Sequence, residues 1–339
     1  MSKVVILGSG GWGCAFAIMV ANENHEVTLW SAFEKEIEVL SADNEHKKLL
    51  PGVKLPKNLA LTTDLSVVSK ADIIVNAVPS FAVRGVAIRL RDYVKNGQII
   101  LNIAKGLEEG SLLRISEVIA SELPSVKIAS MSGPSHAEEV ARGIPTVNVV
   151  ASKNSDVANY IQSAFMSKVF RIYTTDDLVG LELGGSLKNV IALAAGVCDG
   201  MGYGDNTKAA LMTRGIAEMV RLGVALGAKS ETFTGLTGFG DLIVTCTSMH
   251  SRNRRAGILI GQGMSPDEAI KEIGMTVEGY KTTLAAHELA VKAGVNMPIL
   301  NEIYDVLVNN KSPNEAILNL MTRDKKEEHQ KEETWKDSE

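Results

Sequence analysis

Lys188 is the side chain of this sequence whose setting is best suited to moving a proton. It lies in an apolar stretch with helical periodicity, Leu181–Val197, in which Glu182 is the only other charged residue. Burial of an ammonium group disfavours its charged form, so we expect the pKa of Lys188 to fall toward neutral pH. Such a lysine can act as a general base. The ordinary alternative is a side chain that extends past its apolar neighbours to water.

A glycine-rich segment near the start of the chain has the pattern of a dinucleotide-binding loop. The strand-like segment Lys3–Leu7 leads directly into G-S-G-G-W-G at positions 8–13, and a helical pattern follows. Gly8 permits the tight turn, Gly10 lets the backbone approach a pyrophosphate, and Gly13 lets the helix pack closely on the sheet. The helix N-terminus then stabilises the phosphate charge. We therefore predict a dinucleotide site, rather than a glycine-rich turn without a ligand.

The residues after the second predicted strand leave the choice between NAD and NADP open. An acidic residue at this point binds the ribose hydroxyls of NAD, and an arginine suits the additional phosphate of NADP. The chain instead has the uncharged Ala32 and Phe33, with Glu34 and Lys35 a little further on.

Two segments of the first half place polar groups at the ends of predicted strands. Lys105 follows the strand Ile99–Ile103, and Ser135 opens a helix after the strand Lys127–Ser130. There Ser135 and the free backbone amides of the helix can hold an anion. Taken singly, Lys105 could be a surface lysine and Ser135 a plain helix cap. We expect the neighbouring His136 to be a structural hydrogen-bonding residue rather than a catalyst.

A third polar segment lies in the second half, from 234 to 254. Asp241 ends a glycine-rich turn, and Ser251 can cap a helix whose positive end carries Arg252 and Asn253, a suitable place for an anion. The ordinary alternatives are a turn aspartate and a solvated basic face that includes Arg254.

The elements that must position these residues change in type along the chain. Short β-branched runs alternate with helical segments in the first half, which predicts a parallel, doubly wound, Rossmann-like α/β sheet. Helical periodicity dominates the second half, which predicts an all-helical C-terminal domain. We place the Rossmann domain at 1–177, the helical domain at 178–322 and a charged, disordered tail at 323–339. The predicted strands are Lys3–Leu7, Glu26–Trp30, Leu59–Thr62, Ile73–Ala77, Ile99–Ile103, Lys127–Ser130, Thr146–Val150 and Val169–Tyr173. The predicted helices include Trp12–Asn22, Phe33–Leu40, Phe81–Leu90, Leu112–Ser121, Leu178–Val197, Asn206–Leu226, Arg254–Gln262, Ser265–Gly274, Thr282–Lys292 and Pro298–Val308.

Composition narrows the class of protein. With 339 residues, 45% hydrophobic and 22% charged, the chain is an ordinary globular sequence long enough for two domains. A net charge of −5 gives no basic footprint for nucleic acid. Three scattered cysteines argue against a disulfide framework and a zinc site, and we expect no bound metal. No uninterrupted apolar stretch approaches the length of a membrane span, so we expect a cytoplasmic protein.

In this order, the motifs resemble the NAD(P)-dependent glycerol-3-phosphate dehydrogenases of bacterial type. The resemblance extends from Lys3 to about Arg323. Its motifs are the glycine loop with Trp12, N-A-V-P-S at 76–80, K-G at 105–106, 132–140, L-K-N at 187–189, N-T-K-A at 206–209, 238–242, S-R-N at 251–253 and V-E-G at 277–279.

The resemblance implies a role for each matching residue. Lys188 corresponds to the proton acceptor of the family, and Lys105 and Asp241 are its catalytic neighbours. The implied substrate-binding positions are Lys105, Gly133, Ser135, Lys188, Asp241, Ser251, Arg252 and Asn253. The implied cofactor-binding positions are Gly11, Trp12, Lys105, Ala137, Arg252 and Glu278, in addition to Gly8, Gly10 and Gly13 from the glycine pattern.

The implied activity is the NAD- or NADP-dependent interconversion of dihydroxyacetone phosphate and sn-glycerol 3-phosphate, which supplies glycerol 3-phosphate for phospholipid synthesis. The protein could be a homodimer. Many family members have basic residues at positions 32 and 33, so a strong preference for NADP is not expected. The alternatives are a related hydroxyacid or ketopantoate-type reductase, and a non-catalytic dinucleotide sensor.

Overall fold

An eight-stranded sheet forms from the first half of the chain, in the order β3-β2-β1-β4-β5-β6-β7-β8. The computed structural model describes residues 1–325, 327 and 328. Most of the charged tail predicted at 323–339 therefore lies outside the described residues. The strands are β1 (Lys3–Leu7), β2 (Glu26–Trp30), β3 (Leu59–Thr62), β4 (Ile73–Asn76), β5 (Ile99–Asn102), β6 (Lys127–Ser132), β7 (Thr146–Ala151) and β8 (Phe170–Thr175).

All eight predicted strands are present, but the prediction of a wholly parallel sheet is wrong at one pair. Strand β7 runs antiparallel to β6, with Ser130 opposite Ala151 and Ser132 opposite Val149. The connection 133–145 contains only the four-residue helix α5 (Ala137–Val140). So short a helix does not carry the chain back along the sheet, as a parallel crossover requires. The other neighbouring pairs are parallel.

Helices cover both faces of the sheet, as the doubly wound prediction requires. On one face Phe16 of α1 contacts Phe165 of α6 and Phe170 of β8 edge-to-face. On the other face Val86 of α3 and Val118 of α4 pack in a second apolar cluster. Of these helices, α6 is absent from the prediction. The helices of this region are α1 (Gly11–Asn22), α2 (Glu34–Asp43), α3 (Val83–Leu90), α4 (Ile115–Glu122), α5 and α6 (Ser155–Phe165).

The second half is helical, as predicted, and is built around the helix α7. In α7, Leu178 and every residue from Gly180 to Cys198 is buried. This helix is long and apolar enough to cross a membrane, but 94% of its apolar window is buried inside the protein, as in a core helix. The helices are α7 (Leu178–Gly200), α8 (Asp205–Ala225), α9 (Ser230–Thr234), α10 (Asp241–Thr247), α11 (Arg252–Gly261), α12 (Pro266–Ile273), α13 (Glu278–Lys292), α14 (Pro298–Val308) and α15 (Pro313–Met321).

Helices α7 and α11 approach each other at glycines. A Cβ atom on Gly196 would lie 2.0 Å from the carbonyl oxygen of Arg254, and one on Gly257 would lie 2.1 Å from that of Leu193. Only a residue without a side chain allows backbones to come this close. The N-terminal part of α11 is consequently held directly against the C-terminal half of α7.

Candidate active site

The glycine loop has the shape that a dinucleotide requires. The N–H of Gly8, which has φ +112°, donates to the carbonyl oxygen of Trp30 at 2.9 Å and so ties the loop to the end of β2. A Cβ on Gly13 would lie 2.0 Å from the carbonyl oxygen of Gly8, whereas a Cβ on Gly10 would meet nothing within 4 Å. The helix α1 begins at Gly11 without a side-chain cap. Its first amides therefore face open space beside Gly10, which fits a pyrophosphate.

Two lysines from different regions converge on one buried carboxylate. The Nζ of Lys188 donates to Oδ1 of Asp241 at 2.6 Å, and the Nζ of Lys105 donates to Oδ2 at 2.6 Å. Lys188 also donates to the Oγ1 of Thr245 at 2.7 Å, and the Thr245 hydroxyl donates onward to the carbonyl oxygen of Asp241. Lys188 is 6% exposed and Asp241 is 1% exposed. Lys188 does not reach water, so the alternative of a side chain extending to solvent is wrong.

The electrostatics of this cluster follow from burial and from the net charge of its members. Burial, reinforced by the positive charge of Lys105, lowers the pKa of Lys188 to about 8 against the opposing attraction of Asp241. Burial acts to raise the pKa of Asp241, but the ammonium groups of Lys105 and Lys188 hold it below its ordinary value. The cluster therefore contains a permanent carboxylate and a lysine that can lose its proton near working pH.

The hydrogen bonds of Lys188 are compatible with a neutral amine. An amine has two N–H donors and one lone pair, and Asp241 and Thr245 can accept those two hydrogens. The lone pair is then left to take a proton from a substrate hydroxyl. In the protonated form the third N–H is the one that can be donated back.

A candidate anion site lies at the N-terminus of α11. Ser251 caps this helix by accepting from the N–H of Arg254, at 3.2 Å. Within the described residues, the half-buried guanidinium of Arg252 has neither a hydrogen-bond nor an ion-pair partner, and burial lowers its pKa. A half-buried cation that lacks a partner among these residues, at a helix N-terminus, is suited to a phosphate.

Asparagine side chains connect this anion site to the lysine cluster. The Nδ2 of Asn253 donates to the Oδ1 of Asn189 at 2.9 Å, and Asn189 is the neighbour of Lys188 in the chain. The Oδ1 of Asn253 accepts from the N–H of Gly279 at 2.8 Å. The start of α11, the middle of α7 and the start of α13 are thus joined through one side chain.

The loop after β6 contributes the next group of predicted residues. The carbonyl oxygen of Gly133 accepts from Lys105 Nζ at 3.0 Å and from the hydroxyl of Ser135 at 2.8 Å. Ala137 lies close to the glycine loop, since a Cβ on Gly11 would be 3.8 Å from its side chain. His136 places Nε2 3.4 Å from the carbonyl oxygen of Val244, and burial, with the charge of Lys188, lowers its pKa. This contact agrees with the expected structural role.

Glu278 brings the helical region to the ligand edge of the sheet. It accepts from the hydroxyl of Ser80 at 2.7 Å and from the Ser80 N–H at 3.3 Å, just beyond β4. Burial raises its pKa despite these bonds. A Cβ on Gly106 would lie 3.2 Å from its carboxylate, so Glu278 is also adjacent to the loop that carries Lys105.

Two side chains of the cluster were not assigned a role by sequence reasoning. Thr245 lies four residues after Asp241 on α10, which puts both on one helix face, and this spacing is a signal that could have identified it. Asn189 follows Lys188 directly, and nothing in its spacing predicts the contact with Asn253. In the part of the chain that the structure describes, no three His, Cys, Asp or Glu side chains are grouped as a metal site requires.

Comparisons with known proteins extend over nearly the whole chain. The family model described as the NAD-dependent glycerol-3-phosphate dehydrogenase N-terminus matches residues 3–158, and the model for its C-terminus matches residues 177–318. Glycerol-3-phosphate dehydrogenase [NAD(P)+] of Agathobacter rectalis is 54% identical, covering 99% of this chain and 100% of that protein. The Fusobacterium nucleatum protein of the same name is 52% identical, over 97% and 99%. The crystal structure of glycerol-3-phosphate dehydrogenase from Coxiella burnetii has a TM-score of 0.92 and 38% identity, over 95% of this chain and 99% of that one.

Proposed function

Because this chain belongs to the NAD-dependent glycerol-3-phosphate dehydrogenase family, we propose that it interconverts dihydroxyacetone phosphate and sn-glycerol 3-phosphate with NAD or NADP. The observation that carries the proposal is the buried Lys188, bonded to Asp241 and Thr245. Beside it lies a helix N-terminus where Arg252 has no partner in the part of the chain that the structure describes. A proton acceptor and an anion site are the two groups that a phosphorylated secondary alcohol requires.

In the oxidative direction, neutral Lys188 takes the proton of the secondary hydroxyl, and in the reductive direction protonated Lys188 returns it to the developing alkoxide. Asp241 positions both lysines, one on each oxygen, and its charge stabilises the protonated form of Lys188. The positive charge of Lys105 orients the substrate oxygen and keeps the pKa of Lys188 low. The nicotinamide ring, when bound, accepts or supplies the hydride.

The remaining predicted residues bind the substrate and the cofactor and hold them in position. Ser251, Arg252 and Asn253 hold the substrate phosphate at the start of α11. The loop with Gly133 and Ser135 lies against the lysine cluster, since the carbonyl oxygen of Gly133 accepts from Lys105. The cofactor is held by residues at the edge of the sheet and at the starts of α11 and α13, namely Gly8, Gly10, Gly11, Trp12, Gly13, Lys105, Ala137, Arg252 and Glu278.

Several wider expectations belong to the same proposal. Production of glycerol 3-phosphate would supply phospholipid synthesis in the cytoplasm. A homodimer is the assembly that we propose, and sedimentation of the purified protein would test it. We place the domain boundary between residues 177 and 178. The end of β8 at Thr175 and the start of α7 at Leu178 support this position.

One assay tests the proposed reaction. The purified protein is given dihydroxyacetone phosphate with NADH or NADPH, and loss of the reduced-nicotinamide absorbance is followed. Parallel reactions contain 2-oxo acids, 3-oxo acids or ketopantoate, the substrates of the alternative reductases. We expect oxidation with dihydroxyacetone phosphate only. Turnover of an oxo acid instead would support a related reductase, and binding of NADH without turnover of any substrate would support a dinucleotide sensor.

A further inference from the structure

One carboxylate joins the glycine loop to the end of β2. The hydroxyl of Ser9 donates to Oε2 of Glu36 at 2.5 Å, and the hydroxyl of Ser31 donates to the same oxygen at 2.6 Å. Ser9 lies between the first two glycines of the loop, and Ser31 directly follows β2. Glu36 itself lies in the first turn of α2, beyond the residues at which sequence patterns place a cofactor-selecting side chain.

The position of this carboxylate in the fold indicates which part of a dinucleotide it would contact. In dinucleotide-binding sheets, the group at the carboxyl end of the second strand, beside the glycine loop, meets the adenosine ribose. An acid there accepts from the 2′-hydroxyl that NAD has and NADP lacks. Ala32 and Phe33, just after β2, carry no charge. The first turn of α2 nevertheless brings the carboxylate of Glu36 to the end of β2.

The second oxygen of the carboxylate is available to a ligand. The hydrogen bonds from Ser9 and Ser31 both go to Oε2, and among residues 1–325, 327 and 328 no donor contacts Oε1. A carboxylate oxygen accepts hydrogen bonds, so Oε1 is suited to a hydroxyl donor of a ligand. We propose that Glu36 makes this enzyme select NAD over NADP, with Oε1 accepting from the ribose 2′-hydroxyl and the charge repelling a 2′-phosphate.

The neighbouring cations do not cancel this charge. Lys47 is paired with Asp43 at 2.5 Å, and Lys54 is paired with Glu45 at 2.7 Å. Lys35 and Lys48 are exposed, where water and salt screen their charges. Glu36 is also exposed, so its repulsion of a phosphate dianion is screened as well, and we expect that repulsion to weaken binding by about tenfold.

The inference rests on the proposed dinucleotide site, and direct binding tests it without any turnover. The Kd of NADH and of NADPH is measured for the full-length protein by nicotinamide fluorescence, at one ionic strength and without substrate. We expect the native protein to bind NADH at least about tenfold more tightly than NADPH. In Glu36→Gln, NADPH should bind more tightly than before and the two Kd values should converge.

The matched control is Glu34→Gln, which removes the same charge from the same helical turn at a residue that makes no hydrogen bond to Ser9 or Ser31. Its ratio of Kd values should stay that of the native protein. Equal affinities in the native protein, an unchanged ratio in Glu36→Gln, or an equal weakening of both dinucleotides would each overturn the proposal. The last outcome would show that Glu36 only supports the loop.

Competition with cofactor fragments gives a second measurement. Adenosine 5′-monophosphate should displace NADH more effectively than adenosine 2′,5′-bisphosphate from the native protein, and Glu36→Gln should remove that difference. If the fragments and dinucleotides behave as expected but dihydroxyacetone phosphate is not reduced, the proposed reaction fails and the role of Glu36 stands. If turnover is found but the ratio is unaffected by Glu36→Gln, the role of Glu36 fails alone.

Discussion

Burial and hydrogen bonding act on Lys188 in opposite directions, and their balance determines its chemistry. Desolvation favours the neutral amine, whereas Asp241 favours the ammonium form. Lys105 shifts the balance toward the amine because it shares the same carboxylate. A lysine with Asp241 alone would stay protonated, and a lysine without it would not regain its proton readily. The shared carboxylate therefore allows one residue to serve as base and as acid.

Replacement of Lys188 by alanine should abolish most of the turnover without loss of the cofactor. General acid–base catalysis contributes about 10²–10⁴-fold, so kcat should fall by at least about 10². The Kd for NADH should stay close to that of the native protein, because the glycine loop is untouched. Lys229→Ala, which removes an exposed lysine paired with Asp176 in the same half of the chain, is the control and should keep native kcat. Near-native turnover by Lys188→Ala would remove this residue from the mechanism.

The pH dependence of the reaction should differ between its two directions. Below a pKa of about 8, Lys188 is mainly protonated, so kcat/KM for glycerol 3-phosphate oxidation should rise about tenfold per pH unit and level off above pH 8. For dihydroxyacetone phosphate reduction the protonated form is required, so kcat/KM should level off below pH 8 and fall above it. Initial rates from pH 6 to 10 in both directions provide the measurement. Parallel profiles in the two directions would contradict the assignment.

Helix packing, rather than any one residue, positions the anion site relative to the lysine cluster. The glycine contacts between α7 and α11 bring their backbones together, and Asn253 then reaches Asn189. Because Lys188 lies on α7 and Arg252 begins α11, the spacing between proton acceptor and anion site depends on this contact. The buried carboxylate of Glu182 fixes the first half of α7 to the sheet by accepting from Ser116 and Ser130.

Gly257→Ala tests whether the contact between α7 and α11 determines this spacing. The added methyl would lie 2.1 Å from the carbonyl oxygen of Leu193, so α11 must move away from α7. Overpacking costs about 1–3 kcal/mol, and a displacement of about 1 Å at the site costs about 10² in rate. We expect a lower melting temperature and a kcat/KM for dihydroxyacetone phosphate reduced by about 10²-fold.

The control for this substitution is Gly85→Ala in α3, where a Cβ meets nothing within 4 Å. Alanine favours a helix over glycine, so the melting temperature should stay the same or rise, with kinetics unchanged. Native kinetics in Gly257→Ala would mean that the site tolerates a displacement of α11. The contact between α11 and α7 would then not determine the spacing between Lys188 and the anion site.

At the scale of the whole molecule, the site exists only where the sheet and the helical region meet. The Lys105–Asp241 pair spans 136 residues of sequence, and the Ser80–Glu278 hydrogen bond spans 198. Each joins a loop at the carboxyl edge of the sheet to a helix of the second half. The candidate cofactor site is formed by both regions, so its occupancy should stabilise them together.

Binding of NADH should therefore raise the stability of the complete molecule. At a ligand concentration of about 100 times Kd, binding to the native state adds about 2.7 kcal/mol, which corresponds to a rise of roughly 4 °C in melting temperature. Calorimetry should show one unfolding transition that moves as a unit. A transition that stays in place for the helical region while the remainder moves would contradict a site shared by both regions.

Local patterns were sufficient to predict the eight strands, the glycine loop and the burial of Lys188. Each of these features depends on residues that are neighbours in the chain. They are the β-branched runs of the strands, the glycines of the turn and a charge within an apolar helix. The antiparallel β6–β7 pair was predicted incorrectly, because the direction of a strand depends on the path of its connection.

Only the tertiary structure decided which distant groups meet. It brings four pairs into hydrogen-bond contact: Thr245 with Lys188, Asn253 with Asn189, Glu278 with Ser80, and Glu36 with Ser9 of the glycine loop. Spacing along the chain puts Thr245 on the same helix face as Asp241, but it does not show which residues of other elements they contact. Those contacts depend on how closely helices pack and on where side chains point after packing. The sequence by itself therefore determined which residue types are available for the chemistry. Packing decided which partners they contact and how burial shifts their pKa values.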